Sequence, residues 1–135
     1  MGFDIMSGND RFPVSSYWWV TLANYSHHIA PTHKAACRHW DSDDGDGLSA
    51  DQARQLGAEL QHSVDDCSVD TYARQLFATL YKQNSVPGWV RTSDELFDRD
   101  ELPRHEQERR FVNEFISEVQ RFIAFLLTCK GFEIL

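Results

Sequence analysis

The most conspicuous candidate for chemistry is an aspartate-rich stretch between two segments with a helical pattern. It contains Asp41, Asp43, Asp44 and Asp46, and it ends at Ser49. Calcium binds several carboxylate oxygens, and an EF-hand loop places ligands at positions 1, 3 and 5 and a bidentate glutamate at position 12. The stretch therefore raises the hypothesis of a calcium site formed by Asp41, Asp43 and Asp46.

Neither EF-hand register of this stretch is complete. Position 12 is Gln52 when the loop is counted from Asp41, and it is Ala53 when the loop is counted from Ser42. Both registers lack the bidentate glutamate. An Asp/Gly turn that leads into a helix capped by Ser49 is therefore favoured, with calcium binding as the alternative and no other cofactor expected.

A second cluster contains His27, His28, His33, Cys37 and His39. On a helix, His33 and Cys37 would stand four residues apart, a spacing that can present two zinc ligands, and an earlier histidine could add a third. No CxxC or HExxH pattern accompanies them. Surface histidines beside one buried cysteine are therefore favoured over a zinc site.

Known catalytic motifs are missing from the sequence. It contains no GxSxG, GxxxxGK[ST] or GxGxxG pattern, and its carboxylates are too numerous for one acid–base pair to stand out. The basic cluster Arg104, Arg109 and Arg110 alternates with glutamates, which is typical of a solvated helix face, with an anion site as the alternative. No catalytic residue is predicted.

The negative charge of the chain is concentrated in its middle. The 135 residues include 21 acids and 13 bases, a net charge of −8, and residues 41–101 alone hold fourteen acids and five bases. A negative surface repels nucleic-acid phosphates and anionic lipids, so both are excluded as partners. The longest apolar run, 122–127, is too short to cross a membrane, and the first residues do not resemble a secretory signal. We therefore expect a cytoplasmic protein.

Four amphipathic segments are predicted to form the helices that position these groups. They begin at Ser15 or Ser16, at Ser49, at Ser68 or Asp70, and at Pro103. Ser49 and Gln52 match a capping box. Pro31 ends the first helix and Gly131 ends the last one. Gly57 lies on the apolar face of the second helix, where it would let another helix approach closely.

The two ends of the chain have similar sequences. Residues 2–5 read GFDI and residues 131–134 read GFEI, and both alternate apolar and acidic side chains as a half-buried strand does. We predict that they pair as a two-stranded ribbon that packs on the helices. The expected fold is mainly α, a single domain over 1–135 with four to five helices and this small ribbon formed by the N- and C-terminal segments.

Two aromatic residues fall outside the apolar stripes of their helices. Trp19 lies about 100° from Trp18 around the first helix, and Phe125 falls among the charged residues of the last helix. Such residues either pack under the terminal strands or form exposed anchors for a partner, because aromatic side chains are typical of binding hot spots.

Short motifs at the start, middle and end of the chain form a set. They are MGFDI at 1–5, Trp18-Trp19, residues 44–49 with Ala53 and Leu60, Phe122, Phe125, and GFEI at 131–134. In this set the chain resembles a family of small phage and bacterial proteins that open with MGYD, end in GGFEI and have no assigned activity. Lys130 replaces the first glycine of the family ending, and the CxxC insert of many members is absent. The resemblance implies a cytoplasmic, phage-linked accessory protein and no particular reaction.

We therefore expect a non-catalytic accessory protein that binds a basic protein surface through its acidic stretch 41–101. The candidate contact residues are Asp41, Asp43, Asp44, Asp46, Trp19 and Phe125. Complementary charge would steer the association, and the aromatic side chains would supply affinity. A calcium- or other metal-binding domain at 41–46 and an enzyme of unrecognised type are the alternatives. The sequence indicates no oligomeric state.

Overall fold

The chain forms helices around one long helix, together with a small sheet built from both ends. A computed structural model describes residues 4–30, 47–92 and 101–134, and 69% of these residues are helical. The helices are α1 (Ser16–Ile29), α2 (Ala50–Asp65), α3 (Ser68–Lys82), α4 (Gly88–Arg91) and α5 (Arg104–Thr128). The strands are β1 (Ile5–Ser7), β2 (Asp10–Phe12), β3 (Gly47–Ser49) and β4 (Gly131–Ile134). The mainly helical fold that the sequence predicted is confirmed.

Helix α5 is the centre of the packing. It contacts each of the other four helices in the described part of the chain. Its buried apolar residues recur at helical spacing and are Phe111, Val112, Phe115, Val119, Phe122, Ile123 and Leu126. Full burial of one such side chain contributes roughly 1.5–3 kcal/mol, so this single face carries a large share of the hydrophobic stabilisation.

The sheet joins the two ends of the chain. Ile5 pairs with Ile134 and Met6 pairs with Glu133 in an antiparallel register, which confirms the predicted pairing of the GFDI and GFEI segments. Two strands that the sequence analysis did not predict widen the ribbon to the order β2-β1-β4-β3. Strand β2 follows a tight turn with Gly8 at a φ of +61°, and β3 leads directly into α2. Four strands on a helical layer are stable where an isolated pair is marginal.

The starts of α1 and α2 follow from local side-chain bonds. The Ser15 hydroxyl accepts the backbone N–H of Trp18 at 3.3 Å. Ser49 and Gln52 form the predicted capping box, since each side chain accepts the backbone N–H of the other residue. Substituting such a cap by alanine typically costs about 1 kcal/mol.

The start of α3 differs from the prediction. Neither Ser68 nor Asp70 is its N-cap; that position is Cys67, which has a left-handed φ of +66° and makes no capping side-chain bond. The Asp66 carboxylate instead accepts the backbone N–H of Ser68 at 2.9 Å. Hydrogen bonds from the Ser68 hydroxyl and from this N–H hold the pKa of Asp66 below its ordinary value. The acid thus replaces the expected hydroxyl cap, because the chain reverses tightly between α2 and α3.

Gly57 lets α2 and α5 approach closely, as its position on the apolar face predicted. A Cβ at this position would stand 2.9 Å from Leu127 Cδ2 and 3.3 Å from Leu126 Cβ. Both distances are shorter than ordinary carbon contacts. The missing side chain therefore sets the spacing of these two helices.

A buried hydrogen bond joins α1 to α2, and it yields a quantitative prediction. Tyr25 Oη donates to Ser63 Oγ at 2.7 Å, and Ser63 Oγ donates to the carbonyl of Leu60 at 2.6 Å. We expect Ser63→Ala to destabilise the protein by about 1–3 kcal/mol, because the buried phenol loses its acceptor. In a Tyr25→Phe background the same substitution should cost clearly less. Urea denaturation of both single variants and the double variant measures the coupling, and additive costs would contradict it.

Candidate binding groove

Most of the residues that the sequence singled out for metal chemistry lie outside the described part of the chain. This holds for Asp41, Asp43, Asp44 and Asp46, and for His33, Cys37 and His39. The calcium hypothesis and the partner contacts of these aspartates therefore stay predictions. Within 4–30, 47–92 and 101–134, no group of three or more His, Cys, Asp or Glu side chains is arranged to hold a metal ion. None of the helices in these ranges is long and apolar enough to span a bilayer.

The structure corrects the prediction of partner contacts at Trp19 and Phe125. Trp19 is 0% exposed and meets Phe122 and Phe132 edge to face, with ring centroids 5.6 and 6.3 Å apart. Phe125 is half-buried between Phe12, at 5.1 Å, and Phe132, at 5.9 Å. Strand β4 packs on both rings through Phe132, and β2 packs on Phe125 through Phe12. The intramolecular alternative is therefore the one that the structure shows.

A different aromatic residue is exposed. Trp89 of α4 is 46% exposed and borders a groove of about 470 Å³ between the start of α1, α4 and the middle of α5. The groove is also lined by Val14, Trp18, Glu114, Glu118 and Arg121. It combines an exposed indole with two carboxylates and one guanidinium, and we treat it as the candidate binding site.

Two tryptophans hold the carboxylate of Glu114. Trp18 Nε1 donates to Oε1 at 3.0 Å, and Trp89 Nε1 donates to Oε2 at 3.2 Å. An ionised carboxylate offers about four acceptor positions, so each oxygen keeps a free lone pair after these bonds. The two indoles therefore fix the orientation of Glu114 without neutralising its charge.

The short helix α4 is anchored so that Trp89 stands at the rim of the groove. Val90 is 0% exposed and fixes the inner side of α4. Arg110 of α5 donates to the carbonyl of Trp89 at 2.8 Å and to the carbonyl of Thr92 at 3.0 Å. Tyr17 meets the indole of Trp89 edge to face at 5.4 Å. Because the backbone of Trp89 is held and Tyr17 packs against its indole, the ring is presented in a defined orientation.

The basic cluster of the sequence thus has a partly structural role. Besides Arg110, the guanidinium of Arg104 lies 4.7 Å over the ring of Tyr81, a cation–π arrangement. Neither contact corresponds to the anion site that the sequence left open, and both attach α5 to neighbouring segments.

The groove carries a net negative charge. Glu118 pairs with Arg121 at 2.6 Å, and Arg121 also donates to the carbonyl of Pro13. Burial raises the pKa of Glu118, Arg121 opposes that shift, and the nearby charge of Glu114 adds to it. Burial and the charge of Glu114 likewise raise the pKa of Tyr17. Arg121 offsets one of the two carboxylates, so a net negative charge remains beside the exposed indole.

Sequence reasoning missed this groove. Glu114 stands 96 residues from Trp18 and 25 residues from Trp89, and no periodic pattern links the three positions. The available signal was a tryptophan directly after Pro87-Gly88, where a turn places a large apolar side chain at the surface.

Comparison of the chain with protein-family models, with curated proteins and with solved structures finds no match. The resemblance to the small phage and bacterial proteins therefore stays a hypothesis that rests on the short motifs alone.

Proposed function

We propose that the protein is a non-catalytic accessory protein that binds a basic protein surface through acidic residues of the stretch 41–101. The observation that carries this proposal is the excess of fourteen acids over five bases in that stretch. Uncompensated charge on a protein surface steers association with an oppositely charged partner. A cytoplasmic location and a link to phages, as the resemblance implies, belong to the same proposal.

The described part of the stretch 41–101 is close to charge balance. Its arginines are already paired with acids: Arg54 with Asp51, Arg74 with Asp70 and Glu108, and Arg91 with Glu101. Exposed pairs of this kind add little stability, but they leave little net charge. Most of the excess of acids over bases therefore belongs to the other residues of the stretch.

Two segments of the sequence hold most of this excess. Residues 41–46 contain four acids and no base, and residues 93–100 contain four acids and one base, so together they hold seven of the nine net negative charges of 41–101. The contact residues proposed for the partner remain Asp41, Asp43, Asp44 and Asp46. The exposed Trp89 takes the place of Trp19 and Phe125 as the aromatic contact, because it is accessible and they are packed in the core.

The test is affinity capture from a bacterial lysate at low and high salt, with the partner identified and its charge recorded. The variant replaces all four aspartates of 41–46 by asparagine. We expect the native protein to retain a basic protein at low salt and to release it at high salt, because salt screens exposed charges beyond about 8–10 Å. We expect the variant to lose most of this capture.

A matched control removes the same number of charges outside the acidic stretch. It carries amides at Asp4, Asp10, Glu106 and Glu133, and it should retain the same partner. Equal loss in both variants would show that overall charge, not the stretch 41–46, decides the binding. Capture that salt does not affect, or no capture at all, would contradict the proposal.

A further inference from the structure

We propose that the groove between α1, α4 and α5 binds the guanidinium of an arginine side chain from a protein partner, with Trp89 and Glu114 as its contacts. The inference rests on the proposed function, since it names the side chain by which a basic partner would be recognised at one defined place.

The geometry of the groove suits a planar cation. A guanidinium can stack on an indole face and at the same time donate to a carboxylate, whereas an ammonium acts as a point charge. Trp89 is 46% exposed, and its T-shaped contact with Tyr17 fixes the orientation of the indole plane. Glu114 lies at the base of this ring, joined to it by the 3.2 Å bond from Trp89 Nε1. The indole of Trp89 and the carboxylate of Glu114 are therefore already adjacent before a ligand binds.

The charge distribution selects a cation. Among the described residues the only partners of the Glu114 carboxylate are the two indole N–H groups, and neither carries charge. Glu118, one turn along α5, adds a second carboxylate that Arg121 pairs at 2.6 Å. An entering guanidinium would supply the missing counter-charge in a partly desolvated place, where cation–π contacts are stronger than at an open surface.

The groove is large enough for an arginine side chain. Its volume of about 470 Å³ exceeds what one guanidinium and its methylene stem fill, and it leaves room for flanking peptide against Val14 and Pro13. The apolar rim can take up the methylene stem of arginine, which commonly packs along apolar surface while its charged end binds.

The test uses two short peptides on the intact protein. One peptide is acetyl-Gly-Arg-Gly-amide, and the other carries citrulline, which has the shape of arginine without its charge. Binding is followed by the indole N–H resonances of Trp18 and Trp89 in ¹H–¹⁵N spectra. We expect the arginine peptide to shift both resonances in a saturable manner and the citrulline peptide to leave them in place. A lysine peptide should bind more weakly, because it lacks the planar fork.

Three variants locate the site. Glu114→Gln and Trp89→Ala should each weaken the arginine peptide at least tenfold, which corresponds to about 1.4 kcal/mol. Glu133→Gln removes one exposed acid from β4, outside the groove, and should leave the affinity unchanged. The remaining amide resonances show whether each variant is folded. If Glu114→Gln alters the packing of Trp18, which donates to Glu114, the Trp89→Ala variant still tests the site.

The outcomes separate this inference from the proposed function. Equal shifts with both peptides, no shift with either, or unchanged affinity in both groove variants would overturn the arginine site. Partner capture that persists in Trp89→Ala but disappears when the aspartates of 41–46 are replaced would leave the proposed function intact and reject the groove as its contact. Loss of capture in Trp89→Ala, together with arginine-specific shifts, would support both.

Discussion

Replacing Trp19 by alanine should destabilise the protein by about 4 kcal/mol, a large part of the 5–15 kcal/mol that typically separates folded and unfolded states. The side chain is 0% exposed and lies edge to face against Phe122 and Phe132, which belong to α5 and β4. Its removal leaves a cavity at the place where the sheet packs on the central helix. Urea denaturation followed by circular dichroism measures the change.

Trp89→Ala is the matched control for this substitution. The same side chain is removed, but from a position that is 46% exposed, so the cost should stay near 1 kcal/mol or below. A similar small cost for both variants would show that Trp19 does not support the core. A large loss of stability in Trp19→Ala, but not in Trp89→Ala, would confirm that Trp19 supports the core.

The second large effect is expected at Gly47, the first residue of β3. A Cβ at this position would stand 1.8 Å from the carbonyl oxygen of Phe132 and 2.9 Å from Cα of Glu133. Both atoms are backbone, so no side-chain rotation relieves the clash and β3 must move away from β4. We expect Gly47→Ala to cost about 3 kcal/mol, at the upper end of overpacking, with the amide resonances of β4 shifted.

Gly88→Ala provides the control for this prediction. No heavy atom lies within 4 Å of a Cβ built at Gly88, and its φ is not in the left-handed region. Alanine there should be neutral or stabilise the protein by about 0.4–1 kcal/mol, since it restricts the unfolded chain. Denaturation of both variants in parallel is the measurement, and equal stabilities would contradict the close approach of β3 and β4.

The proposed function and the groove concern two different properties of the chain. The excess charge of 41–46 and 93–100 is a property of composition, and it acts through long-range steering of encounter. The groove is a property of packing, and it acts through contact with one side chain. A partner with an arginine-rich surface would use both, first for encounter and then for orientation.

The local patterns of the sequence predicted most of the framework. The apolar spacing in α5 and the Ser49 and Gln52 capping box appear in the structure, and the predicted pairing of segments 2–5 and 131–134 appears as antiparallel pairing of β1 with β4. Each depends on residues close in sequence or on a strand pattern that repeats at the two ends. A helical period of 3.6 and a strand period of 2 leave a visible trace in the order of residues.

The candidate site could not be predicted in the same way. Cys67 replaced the expected cap of α3, and β2 and β3 were missed. For Trp19 the sequence left open both packing under the terminal strands and contact with a partner, and the structure shows it buried. These outcomes depend on which element covers another. A side chain that lies outside the apolar face of its own helix is buried only if another element packs over it. The periodicity of the helix does not show whether such an element is present.

Local sequence patterns were sufficient to predict the helical class, the main helix starts, the pairing of the two chain ends and the position of the excess negative charge along the chain. The folded arrangement was needed to show that Trp19 packs beneath β4, that Phe125 packs between β2 and β4, and that Trp18 and Trp89 meet at Glu114. Periodicity and capping act over a few residues, whereas the two hydrogen bonds to Glu114 join residues that are 25 and 96 positions apart. Such contacts form only when α1, α4 and α5 bury their apolar faces together.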